Sequence, residues 1–357
     1  IVGGGAEYDG RPGAPLDHEH LARFLASVGG HAEAVAIAGV FSPVAPDQEL
    51  TAAEIVRREL GARMHVSLSH EIGSLGLLER ENATVLNAAL VGRIEDLAAA
   101  LHQTLEAEGI EAEPFFAQND GTVMALEHAL RFPVLMIGSG AANSMRGAAF
   151  LSGVAEGLVA DVGGTSTTIG ALVDGFPRNA ALPAEIAGVR MDFRMPDVFT
   201  LPLGGGSVLG TRALDGRQRR ALRHVLVVIE DVFADAVDRA WHELQAPPLV
   251  AVGGASMLVP DELTGVSEVL RPADGEVASA IGAAIAPVSG QADRICPNRP
   301  DKRSAALEEA RADAFARAIH AGADPDAVEV VEVEEVPLSY LLDPAVRIRV
   351  RVAGPSG

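Results

Sequence analysis

Apolar and polar positions along this chain fall into short continuous or alternating runs separated by glycine and proline, the texture of strands linked to helices. Residues 31–41, HAEAVAIAGVF, predict a buried strand that stops at Ser-Pro, and residues 48–60 space their apolar side chains for one face of a helix. Strand followed by helix points to a parallel α/β unit. Residues 64–69 predict a second strand, followed by helical spacing through Leu101, and residues 115–118 and 134–137 predict further short buried strands.

Near residue 158 the pattern changes to LVADVGGTSTTIGALVDGFPRNA. Two strand-like runs flank a Gly-Gly-Thr-Ser-Thr turn, and Asp174-Gly175 predicts a tight hairpin. The run 201–209 carries Gly204-Gly205-Gly206. From Arg217 to Leu244, Val225, Val228, Val232, Phe233, Ala236 and Val237 are spaced for one buried helical stripe. PPLVAVGGASMLVP predicts a strand ending in glycines. Residues 276–286 predict a small-residue helix, 302–321 a charged helix, and 328–336 and 346–352 alternating strands.

The 357 residues suit two domains. With 48% hydrophobic but only 4% aromatic residues, the core rests on Ala, Val, Leu and Ile. Acidic residues outnumber basic ones 49 to 28, for a net charge of -21. Such a field repels polyanions, so nucleic acid and anionic membrane are poor partners, although backbone N–H groups can still hold an anionic nucleotide locally. A single cysteine, Cys296, excludes an intramolecular disulfide framework and fits the cytoplasm. No apolar run reaches the roughly 18 residues of a membrane span. The Gly-rich polar opening at Ile1 is not a signal peptide; we expect the true beginning to lie further upstream.

Three stretches carry candidate chemistry. In Asp161-Val162-Gly163-Gly164-Thr165-Ser166-Thr167, the glycines let successive N–H groups turn toward a phosphate and the hydroxyls add donors. Asp161 is placed to hold magnesium through water or to orient an attacking water. A plain hairpin turn is the competing explanation. Gly253, Gly254, Ala255 and Ser256 would let backbone lie flat against a base or ribose, or simply make a tight turn. Gly204, Gly205, Gly206 and Ser207 read as a phosphate-facing or hinge loop, or as a linker. The polar clusters Ser69-His70-Glu71, Glu79-Arg80-Glu81-Asn82, Gln118-Asn119-Asp120-Gly121-Thr122 and Ser139-Gly140 with Asn143-Ser144 contain groups able to orient a polar substrate. Each also suits a helix cap or solvated turn.

Taken in order with SLSHEIGSLGLLERENATVLNAAL and GSGAANSMRGAAFLSG, these motifs resemble the hydantoinase A/oxoprolinase family over roughly residues 6–352. The resemblance implies an α/β actin-like ATPase (ribonuclease H-like) fold of two domains with ATP in the cleft, plus a small C-terminal α+β segment. It divides the chain into residues 1–62, the tail of an N-terminal domain whose own phosphate loop would precede Ile1, a core at 63–295, and 296–357. The implied activity is ATP-dependent opening of a cyclic amide (hydantoin, N-methylhydantoin, 5-oxoproline or lactam) through a phosphorylated intermediate. ATP and Mg2+ would be required, and a second hydantoinase B-type subunit and an oligomer are implied.

By the same analogy Asp161 and Thr165 are catalytic, Asp161 is also the metal residue, and Gly163–Thr167 form the second phosphate loop. Gly204–Gly206 join the nucleotide site and Gly253–Ser256 contact adenosine. His70, Glu71, Asn119, Asp120, Ser139 and Asn143 would lie nearer the substrate. Thr168 stands where family members often have Asp, and a longer insertion is expected between Gly206 and the helix near Arg217. The rival expectations are a subunit of an ATP-dependent ketone carboxylase and a non-catalytic nucleotide-binding protein.

Overall fold

The computed structural model describes residues 1–74, 76–181, 183–206, 229–242, 245–338 and 345–357. The first unit contains α1 (His18–Val28), β1 (Ala34–Ile37), α2 (Asp47–Leu60), β2 (His65–Leu68) and α3 (Ser69–Ile72). Strands β1 and β2 pair in parallel, from Ala34 opposite His65 to Ile37 opposite Leu68. Leu21 and Leu25 of α1 pack against Ile55 and Val56 of α2.

A long helix, α4 (Leu77–Ala107), leads to β3 (Phe115–Ala117), β4 (Val123–Ala125), α5 (Leu126–Arg131) and α6 (Ser139–Ser152). The strand expected at 134–137 is instead a 3-10 turn over Pro133–Met136. Pro133 has no N–H to give a sheet and its fixed φ suits a helical first turn, which the Leu135 N to Phe132 O bond closes.

The central sheet is built from β5 (Gly157–Val162), β6 (Thr167–Val173), β7 (Phe176–Pro177) and, after the small hairpin of β8 (Ala184–Ile186) and β9 (Val189–Met191), β10 (Val198–Leu201). Asp174 and Gly175 adopt positive φ of 51° and 73°, the tight turn expected between β6 and β7. Residues 229–240 are helical (α7), whereas 207–228 and 243–244, with Ser207, Arg217, Val225, Val228 and Leu244, lie outside the described residues. The sheet is completed by β11 (Pro248–Val252) and β12 (Glu268–Leu270), and α8 (Ala278–Ala284) follows.

The strand order is β10-β6-β5-β11-β12. β6 runs antiparallel to both of its neighbours, β10 and β5, and β11 and β12 run parallel to β5. Alternating side chains divide the two faces. Val159, Val250 and Val252 meet Met145 and Ala148 of α6 and Ala278 of α8. Leu158, Ala160 and Ala251 meet Phe233, Ala236 and Val237 of α7. Helices α6 and α8 touch at backbone level, since a Cβ on Gly147 would overlap the Ala278 carbonyl oxygen and one on Gly282 that of Asn143.

The C-terminal elements are β13 (Val288–Pro297), α9 (Pro300–His320), β14 (Glu329–Leu338) and β15 (Ala345–Gly354). They extend the short β3-β4 hairpin into a sheet of order β14-β15-β13-β4-β3. The boundary expected at 295/296 therefore falls inside β13, which pairs with β15 from Val288–Gly354 to Pro297–Ala345. Helix α9 lies on this sheet through an alanine stripe, Ala306, Ala310, Ala314 and Ala318. Cys296 is buried in the same core. Among the described residues no helix is long and apolar enough to cross a membrane.

Candidate functional site

Parallel pairing of β5 with β11 sets Asp161 opposite Val252, so the two glycine motifs emerge side by side at the carboxyl ends of adjacent strands. That edge is where open α/β sheets place ligands. The third motif joins them through backbone bonds: Gly205 N donates to Gly163 O at 2.9 Å and Gly206 N to Gly164 O at 2.5 Å, while Ala255 N donates to Val162 O at 3.0 Å. Only glycine permits this packing. A Cβ on Gly204 would lie 2.7 Å from Gly163 O, and one on Gly253, at φ +87°, would lie 2.5 Å from Asp161 Oδ1.

Gly164 and Gly254, by contrast, face open space. Gly163 N closes the turn onto Ser166 O at 2.9 Å. The N–H groups of Gly164, Thr165, Ser166 and Gly254 make no backbone hydrogen bond among the described residues. They form a concave set of donors of the kind that holds phosphate oxygens. Thr165 is exposed beside them. Thr167 plays a different part from the one expected of its hydroxyl: it is buried and donates to Leu203 O at 2.6 Å, tying the 202–206 loop to the hairpin.

Asp161 points toward α6, where Ser144 Oγ donates to Asp161 Oδ2 at 2.6 Å. Thr168 is the direct cross-strand partner of Asp161, so both side chains share that face. Asn143 precedes Ser144 on α6 and is buried, with Oδ1 unpartnered among the described residues. Ser139 opens the helix, next to Gly138, whose N–H donates to Asn119 Oδ1 at 2.7 Å. The five residue steps from Ser139 to Ser144 span about 7.5 Å of helix axis, at about 1.5 Å per residue.

His70, Glu71, Asn119 and Asp120 come together on a cavity of about 810 Å³, apart from the glycine loops; Ser139 and Asn143 are not among its walls. Asn119 is a clamp, its Nδ2 donating to Val134 O and Arg194 O. Asp120 Oδ1 accepts from Thr122 N and Oγ1, a local turn. Glu71 pairs with Arg131. His70 Nδ1 lies 2.6 Å from Glu49 Oε2.

Sequence reasoning singled out Ser69 and Arg80 among polar clusters but missed Glu49, Ser74 and Asp192 and the network that joins them behind this wall. Arg80 is fully buried and donates from Nε to Ser69 Oγ, from Nη1 to Ser74 O and from Nη2 to Gly39 O. Ser74 in turn donates through N and Oγ to Asp192. Burial raises the Asp192 carboxyl above its ordinary value despite those bonds. Glu49 was the most legible of these groups, because it falls on the same helical face as Ala52, Ala53 and Val56, where a carboxylate needs buried partners.

The 3-2-1-4-5 order of the central sheet, with a glycine-turn hairpin at its first two strands, defines an α/β protein of the actin-like ATPase, ribonuclease H-like fold. The sequence profile of hydantoinase/oxoprolinase matches residues 80–222, and that of the hydantoinase/oxoprolinase N-terminal region matches residues 1–60. The chain belongs to the hydantoinase/oxoprolinase family.

No curated protein sequence matches the chain. Among solved structures it is similar to the ATP-dependent caprolactamase from Pseudomonas jessenii, with a TM-score of 0.79 and 16% identity over 99% of this chain and 69% of that one. It is also similar to nucleotide-free acetone carboxylase, with a TM-score of 0.67 and 14% identity over the same shares, 99% and 69%. At these identities the likeness is one of fold.

Proposed function

We propose that the protein is an ATP-dependent enzyme that opens a cyclic amide of the hydantoin, N-methylhydantoin, 5-oxoproline or lactam type. The observation that carries this reading is the convergence of three glycine loops on Asp161, with Gly164 and Gly254 facing open space and four N–H groups left for an anion. The polyphosphate of ATP sits on Gly163–Thr167 and Gly204–Gly206, and the nucleoside lies against Gly253–Ser256. Thr165 adds a hydroxyl donor at the transferred phosphoryl group. Asp161, an acid beside phosphate donors, is the group that fits Mg2+, directly or through water; bound there, the ion would neutralise phosphate charge.

A ring amide resists water because nitrogen donates its lone pair to the carbonyl. Transfer of the ATP terminal phosphoryl group to the carbonyl oxygen removes that resonance and leaves a carbon open to attack. The chain's contribution is positioning and charge neutralisation by loop N–H groups. The cavity bordered by His70, Glu71, Asn119 and Asp120 is large enough for a small ring and is the substrate side of this reading. The protein works in the cytoplasm, as an oligomer with a hydantoinase B-type subunit.

Phosphate release by the intact protein with Mg-ATP tests the reading, scanned over hydantoins, 5-oxoproline, lactams and ketones with bicarbonate, with and without a B-type subunit. Stimulation by a cyclic amide that vanishes in Asp161→Ala is expected. Stimulation only by a ketone with bicarbonate would instead make it a carboxylase subunit. ATP binding without turnover would make it a non-catalytic nucleotide-binding protein.

A further inference from the structure

Glu49 lies on the buried face of α2 with 2% exposure, and its carboxylate is surrounded by donors. Gly39 N and Ser69 Oγ reach Oε1, both at 2.6 Å, while His70 N and Nδ1 reach Oε2 at 3.2 and 2.6 Å. Burial opposes its ionisation, but the bonds from His70 and Ser69 outweigh burial and hold the carboxyl below the ordinary glutamate value. An ionised Glu49 accepts the Nδ1 proton, so a neutral His70 carries its lone pair on Nε2. Nε2 makes no hydrogen bond among the described residues, and the ring is a wall of the cavity of about 810 Å³.

The same cavity gathers cationic charge beside carboxylates, with Glu71 and Asp293 both acting on Arg317. Arg317 and Arg347 line it, and among the described residues neither makes an ion pair. Arg317 Nη1 donates to Gln291 O at 3.0 Å, and Arg347 Nη1 approaches Ser74 Oγ at 3.4 Å. Guanidinium groups that no carboxylate holds in direct contact suit an anion. A neutral cyclic amide acquires that charge once its carbonyl oxygen is phosphorylated.

The geometry points to His70 as the general base of ring opening, oriented by Glu49, acting on the phosphorylated amide held in this arginine-lined cavity. The inference rests on the cyclic-amide reading given above. His70 Nε2 takes a proton from water as the water oxygen bonds to the imidate carbon, and returns it to the ring nitrogen. The remaining O–H proton passes to the same nitrogen as the C–N bond breaks. An amine and an acyl phosphate result, and a second water releases inorganic phosphate and leaves the carboxylate. Glu49 is a positioning residue in this scheme.

The test uses the intact protein, with its B-type subunit where turnover needs it, and the amide that best stimulates ATP turnover. ADP and ring-opened product are measured together in wild type, His70→Gln and His70→Ala. His70→Gln is expected to bind ATP as wild type does while product formation falls by about 100-fold or more, the usual contribution of a positioned base. Added imidazole is expected to restore product in His70→Ala, which a purely structural histidine would not allow. Product formation in His70→Gln within about threefold of wild type, below the range of a positioned base, would overturn the proposal. So would a loss in His70→Ala that imidazole leaves unchanged. If wild type shows no amide-stimulated turnover, the cyclic-amide reading fails and the proposal falls with it; stimulated turnover in wild type with ring-opened product that survives in His70→Gln removes the base alone.

Discussion

Ser144 Oγ and Asp161 Oδ2 are 2.6 Å apart, a hydrogen bond that joins α6 to the last turn-facing carboxylate of β5. It fixes the rotation of the acid that, among the described residues, stands at the mouth of the glycine loops. Charge-assisted bonds of this kind contribute about 1.5–3 kcal/mol. Ser144→Ala is therefore expected to slow ATP turnover by roughly tenfold with the fold intact. Asp161→Asn keeps the shape but loses the charge, and is expected to cost at least about 100-fold. Steady-state phosphate release with circular dichroism as a fold control decides the matter; equal turnover in Asp161→Asn and wild type would remove Asp161 from the chemistry.

The glycines of the site separate into two kinds, which two alanine substitutions distinguish. Gly253 has φ +87° and would drive a Cβ to 2.5 Å from Asp161 Oδ1 and 2.6 Å from Val162 O. Gly253→Ala is expected to lower stability by about 2 kcal/mol or more, through both overlap and backbone strain. Gly164 faces open space, so Gly164→Ala leaves stability within about 0.5 kcal/mol. It should nonetheless weaken ATP binding, because its methyl group stands where phosphate oxygens would approach. Melting curves and nucleotide titration on the two variants read this out, and unchanged ATP affinity in Gly164→Ala would move the phosphates elsewhere.

The hairpin of β5 and β6 and the tight turn at Asp174-Gly175 were legible because period-two apolar runs and turn glycines are local signals. So were α2, α4 and the core of α9. Strand β13 was not, since its core-facing residues Val288, Gly290, Ala292 and Cys296 are mostly small, and only contact with α9 makes them a strand face. Helix α6 was hidden by the same poverty of large side chains in SGAANSMRGAAFLS. Of the candidate site, the glycine loops stood out in sequence, and the structure brings them together. The pairing of His70 with Glu49 spans 21 residues and depends on how α2 packs beside β2, which no local pattern encodes.

The backbone-level meeting of α6 and α8 yields a stability prediction that leaves the nucleotide donors untouched. A Cβ on Gly282 would run into Asn143 O, and Gly147 N lies 2.8 Å from the same position. Neither neighbour is the end of a flexible side chain, so the helices must separate. Gly282→Ala is expected to destabilise by about 3 kcal/mol, at the upper end of overpacking costs and well beyond its gain in helix propensity. Urea unfolding measures it; a neutral or stabilising substitution would mean that the two helices do not touch in this way.

His128 gives the fold an acid sensitivity of its own. Its ring lies 4.8 Å from Phe132 and 6.2 Å from His320, centroid to centroid. Burial, with the charges of His320, Arg131 and Arg317, pushes its pKa down from 6.5 to about 4. The folded protein therefore holds this ring neutral where an unfolded chain would protonate it. Between about pH 6.5 and pH 4 the unfolded state binds the extra proton, so stability rises with pH and the contribution is fully present only above the unfolded value. From pH 7 to pH 5 the loss is about 2 kcal/mol. Any loss from protonating Glu49, whose pKa lies below the ordinary 4.5, falls at lower pH and stays separate. His128 Nδ1 is buried without a partner among the described residues, so His128→Phe sacrifices no hydrogen bond and keeps a ring against Phe132. That variant is expected to lose most of the stability difference between pH 7 and pH 5, measured by urea unfolding at each pH. A slope as steep as wild type in His128→Phe would assign the sensitivity to another group.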